Sequence, residues 1–288
     1  MPELNTIYAQ PGLPEGPRWR EGHLWFSNMG QHKVVQLAED GQIIREISSP
    51  GTPSGLGWLP DGRLLLVLMQ EQRIVSINNG QLADYADLSS LASYHCNDMV
   101  LSHAGRAYVG NFGYPAFEGG QASHAELIMV PIDGQPRIVA DGLAFPNGMA
   151  ISPDAQTLLV AETLASRLTA FTIRENGELT DRRIWAEFDQ RGLLDEVDWS
   201  RVLPDGITMD AEGALWIANP GADTSVLRVA EGGQILDRID AEMGCYACML
   251  GGPDGDTLFI LGLDRSGEDD ELGYIKKTKV TVPKAGLP

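Results

Sequence analysis

Hydrophobic positions along the chain fall into short runs, and a turn signal separates each run from the next. Six segments repeat the same shape: an apolar stretch, a turn of two or three residues that often reads Asp-Gly, and a second bulky apolar stretch. These segments begin at Pro17, Leu56, Met99, Met149, Ile207 and Met249. Asp-Gly between two strand-like runs is a strong hairpin signal, because glycine adopts a positive φ at little cost. The pattern therefore predicts six β-hairpins.

Successive units are roughly 40 to 60 residues apart, which brackets the length of one four-stranded propeller blade. Six such units leave sheet edges exposed unless they close into a ring. We therefore predict an all-β fold, a six-bladed β-propeller that forms a single domain over residues 1–288. The N-terminal Ile7-Tyr8-Ala9 is expected to add a strand to the last blade, beside Lys279–Val282. A sandwich or a barrel is the alternative, but neither suits this periodicity.

One connection is longer than the others. Residues 186–203 combine charged side chains with apolar Leu193, Leu194, Val197 and Trp199, in a helix-like or irregular stretch. Long ordered loops often serve as lids, so residues 186–203 are a possible lid insertion over one end of the ring. The alternative is a surface loop.

Charge and composition restrict the class of protein. The chain has 288 residues and a formal net charge of −19, so it lacks the basic surface that a nucleic-acid-binding protein needs. No run approaches the roughly 18 apolar residues of a membrane span, and the first residues do not resemble a signal peptide. Three cysteines cannot form a disulfide framework, which favours a reducing, cytoplasmic location.

Polar residues stand at equivalent places just before the hairpins. Glu15, Asn147 and Asp205 each follow a proline and precede a glycine, and Cys96-Asn97-Asp98 stands at the same place in the third unit. A single Pro-Asn-Gly or Pro-Asp-Gly is typical of an ordinary turn. Ring closure, however, would bring these side chains together in the central channel. Two carboxylates and an amide carbonyl form an oxygen-only set, which suits Ca²⁺, Mg²⁺ or Mn²⁺ better than Zn²⁺.

Three segments together resemble a known family. LPEGPRW, PNGMAISPD followed by LLVAET, and LPDGITMDAEGALWIA are similar to the motifs of the SMP-30/gluconolactonase/LRE-like, or regucalcin-like, family. The resemblance implies a six-bladed propeller with one divalent cation, most often Ca²⁺, in the central channel; Mg²⁺, Mn²⁺ and Zn²⁺ are the alternatives. It also implies hydrolysis of sugar lactones or other small cyclic esters.

The resemblance also implies roles for individual residues. The metal-binding positions of the family match Glu15, Asn147 and Asp205, and its substrate-contacting asparagine matches Asn97. His95, adjacent to this segment, is a candidate residue of the pocket rim. Sugar-lactone members of the family have arginine at that place and glycine where this chain has Met99. Residues 112–117 are also rich in aromatic side chains, so a less polar lactone fits as well as a sugar lactone.

A mechanism follows from these roles. The cation would polarise the lactone carbonyl, and Asp205, the candidate catalytic residue, would accept the proton of the attacking water and return it to the leaving alkoxide. The alternative is that Asp205 only orients a hydroxide. We expect Asp98 and Glu162 to be buried near this site as supporting groups.

Other functions remain open at this stage. The same metal site could serve a phosphotriesterase-like hydrolase, or the chain could be a non-catalytic calcium-binding propeller. A metal-free propeller related to strictosidine synthase is disfavoured by the set of Glu15, Asn147 and Asp205. The predicted partner is a small-molecule lactone, with neither nucleic acid nor membrane, and the sequence leaves the oligomeric state undetermined.

Overall fold

A computed structural model describes residues 3–221, 224–264 and 272–287. The chain begins with β1 (Asn5–Pro11). The first two sheets contain β2 (Pro14–Arg20), β3 (His23–Asn28), β4 (Lys33–Ala38) and β5 (Ile43–Ser48), then β6 (Pro53–Trp58), β7 (Leu64–Leu68), β8 (Arg73–Asn78) and β9 (Gln81–Asp87). The third sheet contains β10 (Cys96–Leu101), β11 (Ala107–Asn111), β12 (Ala125–Val130) and β13 (Arg137–Leu143).

The second half of the chain continues this pattern. The fourth sheet contains β14 (Pro146–Ile151), β15 (Thr157–Glu162), β16 (Arg167–Ile173) and β17 (Leu179–Glu187), with a short 3₁₀ helix (Thr163–Ala165) after β15. The fifth contains β18 (Ile207–Met209), β19 (Leu215–Asn219), β20 (Ser225–Val229) and β21 (Ile235–Asp240). The sixth contains β22 (Gly244–Gly251), β23 (Thr257–Leu263) and β24 (Leu272–Lys279), and β1 completes it.

Contacts between the sheets close a ring. Each sheet is antiparallel and four-stranded. The first strand of each sheet contacts the first strand of the next, from β2 through β6, β10, β14 and β18 to β22, and β22 contacts β2. These six strands therefore surround a central channel, and the fold is the predicted six-bladed β-propeller. Within the described residues, no helix is both long and apolar enough to cross a bilayer.

The predicted hairpin turns connect the first and second strands of the blades. The turn glycines have positive φ values between 74° and 87°, and Ala155 takes the same conformation in the fourth blade with a φ of 59°. The apolar residues of each hairpin pack between neighbouring blades. Trp19 of blade one stacks on Phe259 of blade six at 5.3 Å, for example, and Trp216 is buried between blades five and six. The core of the protein is thus divided among the six interfaces between blades.

The N-terminal strand closes the ring, as predicted, but its partner differs from the expected one. β1 pairs with β24, with Asn5 opposite Lys277 and Pro11 opposite Leu272. The expected partner, Lys279–Val282, was therefore wrong: Tyr8 and Ala9 lie opposite Ile275 and Tyr274, and of the expected residues β24 contains only Lys279, its last residue. At the end of β24, Lys279 pairs with Thr257 of β23 and the Val280 amide donates to Asp256 O at 2.9 Å, so these residues continue the pairing with β23 and not with β1.

The long connection between blades four and five is irregular. β17 extends to Glu187, so the irregular segment covers residues 188–206 and begins two residues later than predicted. Buried Arg201 holds it together through an ion pair with Asp189 at 2.9 Å and a hydrogen bond to Gly192 O at 2.9 Å. Its apolar residues Val197 and Leu193 pack against the wall of the channel mouth.

Candidate active site

The predicted site residues lie at one level of the ring. Glu15, Asn97 and Asn147 are the second residues of β2, β10 and β14, and Asp205 comes two residues before β18. The strand register shifts at this level in five blades: between Glu15 and Arg18, Pro53 and Leu56, Cys96 and Met99, Pro146 and Met149, and Cys245 and Ala247. A β-bulge re-aims a side chain. The sequence positions that share this motif therefore face a common centre.

The glycines after Asn147 and Asp205 are required by the close approach of neighbouring blades. A Cβ atom on Gly148 would lie 2.4 Å from Asp205 O, and one on Gly206 would lie 2.7 Å from the Cα atom of Ala247. Both glycines have φ values outside the left-handed region, and Pro146-Asn147-Gly148 forms the beginning of β14. An ordinary turn is therefore the wrong interpretation of this motif: its glycine lets two inner strands meet.

The two carboxylates of the set influence each other. Burial, followed by the negative charges of Glu15 and Asp98, raises the pKa of Asp205 well above its ordinary value. Burial also raises the pKa of Glu15 to about 8, assisted by Asp98 and opposed by the Gly16 amide and Arg18. The Glu15 side chain is partly accessible and lines the cavity. Ionising both groups together is costly unless a positive charge joins them.

Asp98 lies behind the site in a buried ion pair with Arg18. Arg18 Nη2 is 3.1 Å from Asp98 Oδ1, which also accepts a hydrogen bond from the Met99 amide at 2.8 Å. Arg18 donates further to the carbonyl oxygens of Met99 and of Pro17. Burial nevertheless raises the pKa of Asp98 above its ordinary value, although Arg18 acts in the opposite direction. Asp98 was predicted as a supporting residue. Its partner Arg18 was not predicted, because the two residues are 80 positions apart in the sequence.

Thr163 orients the amide of Asn147. The Thr163 hydroxyl donates its one proton to Pro204 O at 2.8 Å and accepts a hydrogen bond from Asn147 Nδ2 at 3.2 Å. Since Thr163 Oγ1 can only accept from Asn147, the NH₂ end of the amide must face it. The Oδ1 atom of Asn147 is thereby the end that can act as a ligand. Thr163 follows Glu162 in the VAET segment, but its sequence gives no sign of this role.

Two buried polar atoms of the site lack hydrogen-bond partners. They are Asp205 Oδ1 and Asn97 Nδ2, and both residues are more than nine-tenths buried. Orphaned buried polar atoms are rare in native proteins and call for an explanation. The other amide atom of Asn97, Oδ1, accepts from Ser54 Oγ at 3.5 Å, so the NH₂ group of Asn97 is available to a ligand.

The donor set fits a hard divalent cation. Within residues 3–221, 224–264 and 272–287, no group of three or more His, Cys, Asp or Glu side chains has the arrangement of a metal centre. The candidate site differs from such a group because only two of its ligands, Glu15 and Asp205, are carboxylates. The third ligand is the amide oxygen of Asn147. Such oxygen ligands suit Ca²⁺ or Mg²⁺. A cation would also neutralise the Glu15–Asp205 repulsion and give Asp205 Oδ1 a partner.

All the predicted site residues reach one cavity of about 360 Å³. It is lined by Glu15, His95, Asn97, Asn147 and Asp205, with further walls from Phe112, Phe117, Phe145, Trp199 and Tyr246. Its volume falls in the range of about 300–1,000 Å³ that is typical of small-molecule sites. Residues 188–206 contribute Val197, Trp199 and Leu203 to its wall, and their role as a lid stays a prediction.

Glu162 is fully buried, as predicted, but outside the lining of this cavity. Its carboxylate accepts from Arg167 at 2.9 and 2.8 Å and from the Ala144 amide at 2.8 Å. The hydrogen bonds from Arg167 and Thr169 lower the pKa of Glu162 against the opposing effect of burial. Glu162 therefore stabilises blade four rather than contacting a ligand.

Comparison with known proteins agrees with this architecture. Residues 13–263 match the family described as SMP-30/Gluconolactonase/LRE-like region. The chain belongs to this family. A 6-deoxy-6-sulfogluconolactonase of Pseudomonas putida is 25% identical over 297 residues, which cover 99% of this chain and 97% of that protein.

Solved structures of similar proteins have the same fold. A gluconolactonase from Xanthomonas campestris superposes with a TM-score of 0.75 at 25% identity, covering 99% of this chain and 89% of that one. A luciferin-regenerating enzyme gives a TM-score of 0.83 at 18% identity and covers 100% of this chain and 99% of its own. At that identity the second similarity concerns the fold alone.

Proposed function

We propose that this member of the SMP-30/gluconolactonase/LRE-like family hydrolyses a small lactone, with one divalent cation, Ca²⁺ by preference, held by Glu15, Asn147 and Asp205. The observation that carries the proposal is the unpartnered Asp205 Oδ1, which is buried and experiences the negative charge of the Glu15 carboxylate. The names of the Pseudomonas putida relative and the Xanthomonas campestris structure, a sulfogluconolactonase and a gluconolactonase, support the lactone as substrate.

The chemistry is divided between the cation and the side chains. A divalent cation bound at this site supplies Lewis-acid chemistry, which polarises a carbonyl and stabilises the developing oxyanion by several kcal/mol. Asn97 directs its free Nδ2 donor at a substrate oxygen and so orients the lactone ring. His95, at the cavity wall, limits where the rest of the substrate can lie.

Asp205 is the proton carrier in this proposal. Its carboxylate accepts a proton from the attacking water and later delivers it to the alkoxide that leaves when the ring opens. Without the cation, burial and the neighbouring negative charges raise the pKa of Asp205, and a bound cation would act in the opposite direction. In the alternative role Asp205 only orients the nucleophile.

A titration assay tests this function. Acid release is followed by pH drift on a panel of γ- and δ-lactones and one aryl dialkyl phosphate triester, before and after treatment with a chelator. We expect hydrolysis of at least one lactone that is lost with chelator and restored by Ca²⁺. Turnover of the phosphate ester alone would assign the site to phosphotriesters. A protein that binds Ca²⁺ but leaves every ester intact would be a calcium-binding propeller.

A further inference from the structure

The mouth of the cavity carries a cluster of aromatic rings that the proposed chemistry does not use. Phe112 and Phe145 stack at a centroid distance of 4.3 Å. Phe117 meets both of them edge-on, at 6.2 and 5.8 Å. Trp199 lies nearly parallel to Phe117 at 6.2 Å, with an interplanar angle of 30°. We call Phe112, Phe117, Phe145 and Trp199 the aromatic wall; all four line the cavity.

The outer two rings of this wall are exposed. Phe117 is 57% and Trp199 39% accessible, whereas Phe145 beneath them is buried. Large apolar side chains that are exposed together at the rim of a cavity commonly mark a binding site. Phe117 comes from the connection between β11 and β12 and Trp199 from residues 188–206. The exposed pair is therefore built from two separate loops that meet over the channel.

Polar side chains occupy a different part of the cavity. Glu15, Asn147 and Asp205, which lie at or just before the start of inner strands and which we call the polar floor, line it together with Thr52 and Gln70 of blade two. On the side of the aromatic wall, the His95 ring is itself packed, stacked on Tyr94 at 4.1 Å and edge-on to Phe112 at 6.1 Å. Glu118 accepts a hydrogen bond from the Tyr94 hydroxyl at 3.0 Å. The four rings of the aromatic wall contain one hydrogen-bond donor, the indole N–H of Trp199, so a sugar ring buried against them would replace few of the hydrogen bonds that its hydroxyl groups make to water, which is costly.

We propose that the substrate is a lactone that carries an aryl group, and that the aromatic wall binds this group while the ester contacts the polar floor. The inference rests on the proposed lactone hydrolysis and narrows it from small lactones in general to aryl-substituted ones. Offset-stacked and edge-on contacts between aromatic rings supply affinity beyond the burial of apolar area, so an aryl group gains more here than an alkyl group of similar size.

Hydrolysis is compared for three substrates: γ-phenyl-γ-butyrolactone, γ-butyrolactone and glucono-δ-lactone. We expect the phenyl lactone to have a kcat/KM at least about tenfold above that of either other lactone. Phe117→Ala and Trp199→Ala should each lower kcat/KM about tenfold for the phenyl lactone and less than about twofold for γ-butyrolactone. Phe117→Leu should recover part of this loss, and Ile184→Ala, exposed on the outer strand of blade four, should change nothing.

Binding without turnover gives a second readout. 5-Phenyl-2-pyrrolidinone and 2-pyrrolidinone are amide analogues that resist hydrolysis, and calorimetry should show at least about tenfold tighter binding of the phenyl compound. Phe117→Ala should remove most of that difference.

The outcomes separate this inference from the function on which it rests. Hydrolysis of glucono-δ-lactone at a kcat/KM equal to or above that of the phenyl lactone would overturn the aryl preference and leave lactone hydrolysis standing. Equal losses on all three lactones in Phe117→Ala and Trp199→Ala would also overturn it, because the rings would then only shape the loops. Failure to hydrolyse any lactone, with the cation bound, would remove the proposed function itself.

Discussion

Asn147 donates a hydrogen bond to Thr163 at 3.2 Å, and this contact turns the NH₂ end of the Asn147 amide toward Thr163. Thr163 in turn donates to Pro204 O at 2.8 Å, in the residue just before Asp205. One hydroxyl therefore connects two of the three candidate metal ligands across the interface between blades four and five.

Replacing Thr163 tests this connection. Thr163→Val leaves the Asn147 NH₂ and Pro204 O without partners and removes the constraint on the amide. We expect Ca²⁺ affinity to fall about 10- to 100-fold, the range typical of residues that support metal ligands. Thr163→Ser, which keeps the hydroxyl, should restore most of the affinity. Calorimetric Ca²⁺ titration measures it, and a folded Thr163→Val variant with unchanged affinity would show that Thr163 has no such role.

Asp205→Asn separates ligand chemistry from folding. The substitution keeps the shape of the side chain but removes a charge that repels Glu15, so in chelator at pH 8 the variant should be at least as stable as the parent protein. Ca²⁺ affinity and lactone hydrolysis should both fall at least 100-fold, because the charge of the ligands sets affinity. Asp84→Asn, at an exposed carboxylate, is the control. Thermal unfolding with and without Ca²⁺ measures the effect. The assignment would be contradicted if Ca²⁺ raised the unfolding temperature of Asp205→Asn as much as it raises that of the parent protein.

The raised pKa of Glu15 predicts how the stability of the metal-free protein depends on pH. Its value in the folded state, about 8, lies above the ordinary value of 4.5. As the pH rises from 4.5 to about 8, Glu15 releases its proton in the unfolded chain but retains it in the folded chain, so the free energy of unfolding falls. The loss, a few kcal/mol at most, should level off above pH 8.

Urea unfolding in chelator at pH 5, 7 and 9 measures this dependence. Glu15→Gln removes the titrating group and should have a flatter profile than the parent between pH 5 and 8. Ca²⁺ affinity should change in the opposite direction and rise with pH, because binding displaces protons from the ligands. Identical profiles for the parent and Glu15→Gln would show that Glu15 is not held protonated.

Gly148 offers a test of the close approach between inner strands. A Cβ atom at this position would lie 2.4 Å from Asp205 O, so Gly148→Ala must push blades four and five apart. We expect a loss of about 1–3 kcal/mol in the free energy of unfolding, together with weaker Ca²⁺ binding. In Gly57→Ala the new Cβ would meet the flexible end of the Leu101 side chain at 2.8 Å, so the loss should be smaller. Urea unfolding of both variants gives the comparison, and equal losses would contradict it.

Much of the fold could be predicted because each hairpin carries its own local signal. The Asp-Gly turns and their spacing identify the blades, and Ala155 shows that the repeat tolerates one departure from glycine. The convergence of Glu15, Asn97, Asn147 and Asp205 on one cavity followed from ring closure, since equivalent positions of a ring share a level. The convergence of these four residues could therefore be predicted from the repeat alone.

Side-chain contacts between and within blades could not be predicted in this way. The repeat locates each strand but not its neighbour's side chains, so Arg18 beside Asp98 and Thr163 beside Asn147 emerged only from the structure. The meeting of Phe117 and Trp199 depends in the same way on two irregular loops. The strand partner of β1 was placed too late in the chain because the register between β1 and β24, with Tyr8 opposite Ile275, has no local signal in the sequence.

Anomalous diffraction from crystals of the protein grown with Mn²⁺ in place of Ca²⁺ tests the central claim most directly. The account predicts one strong anomalous peak on the channel axis, within bonding distance of carboxylate oxygens of Glu15 and Asp205 and of Oδ1 of Asn147. A channel without such a peak, or a peak bound by other side chains while these three remain hydrogen-bonded to water, would contradict it.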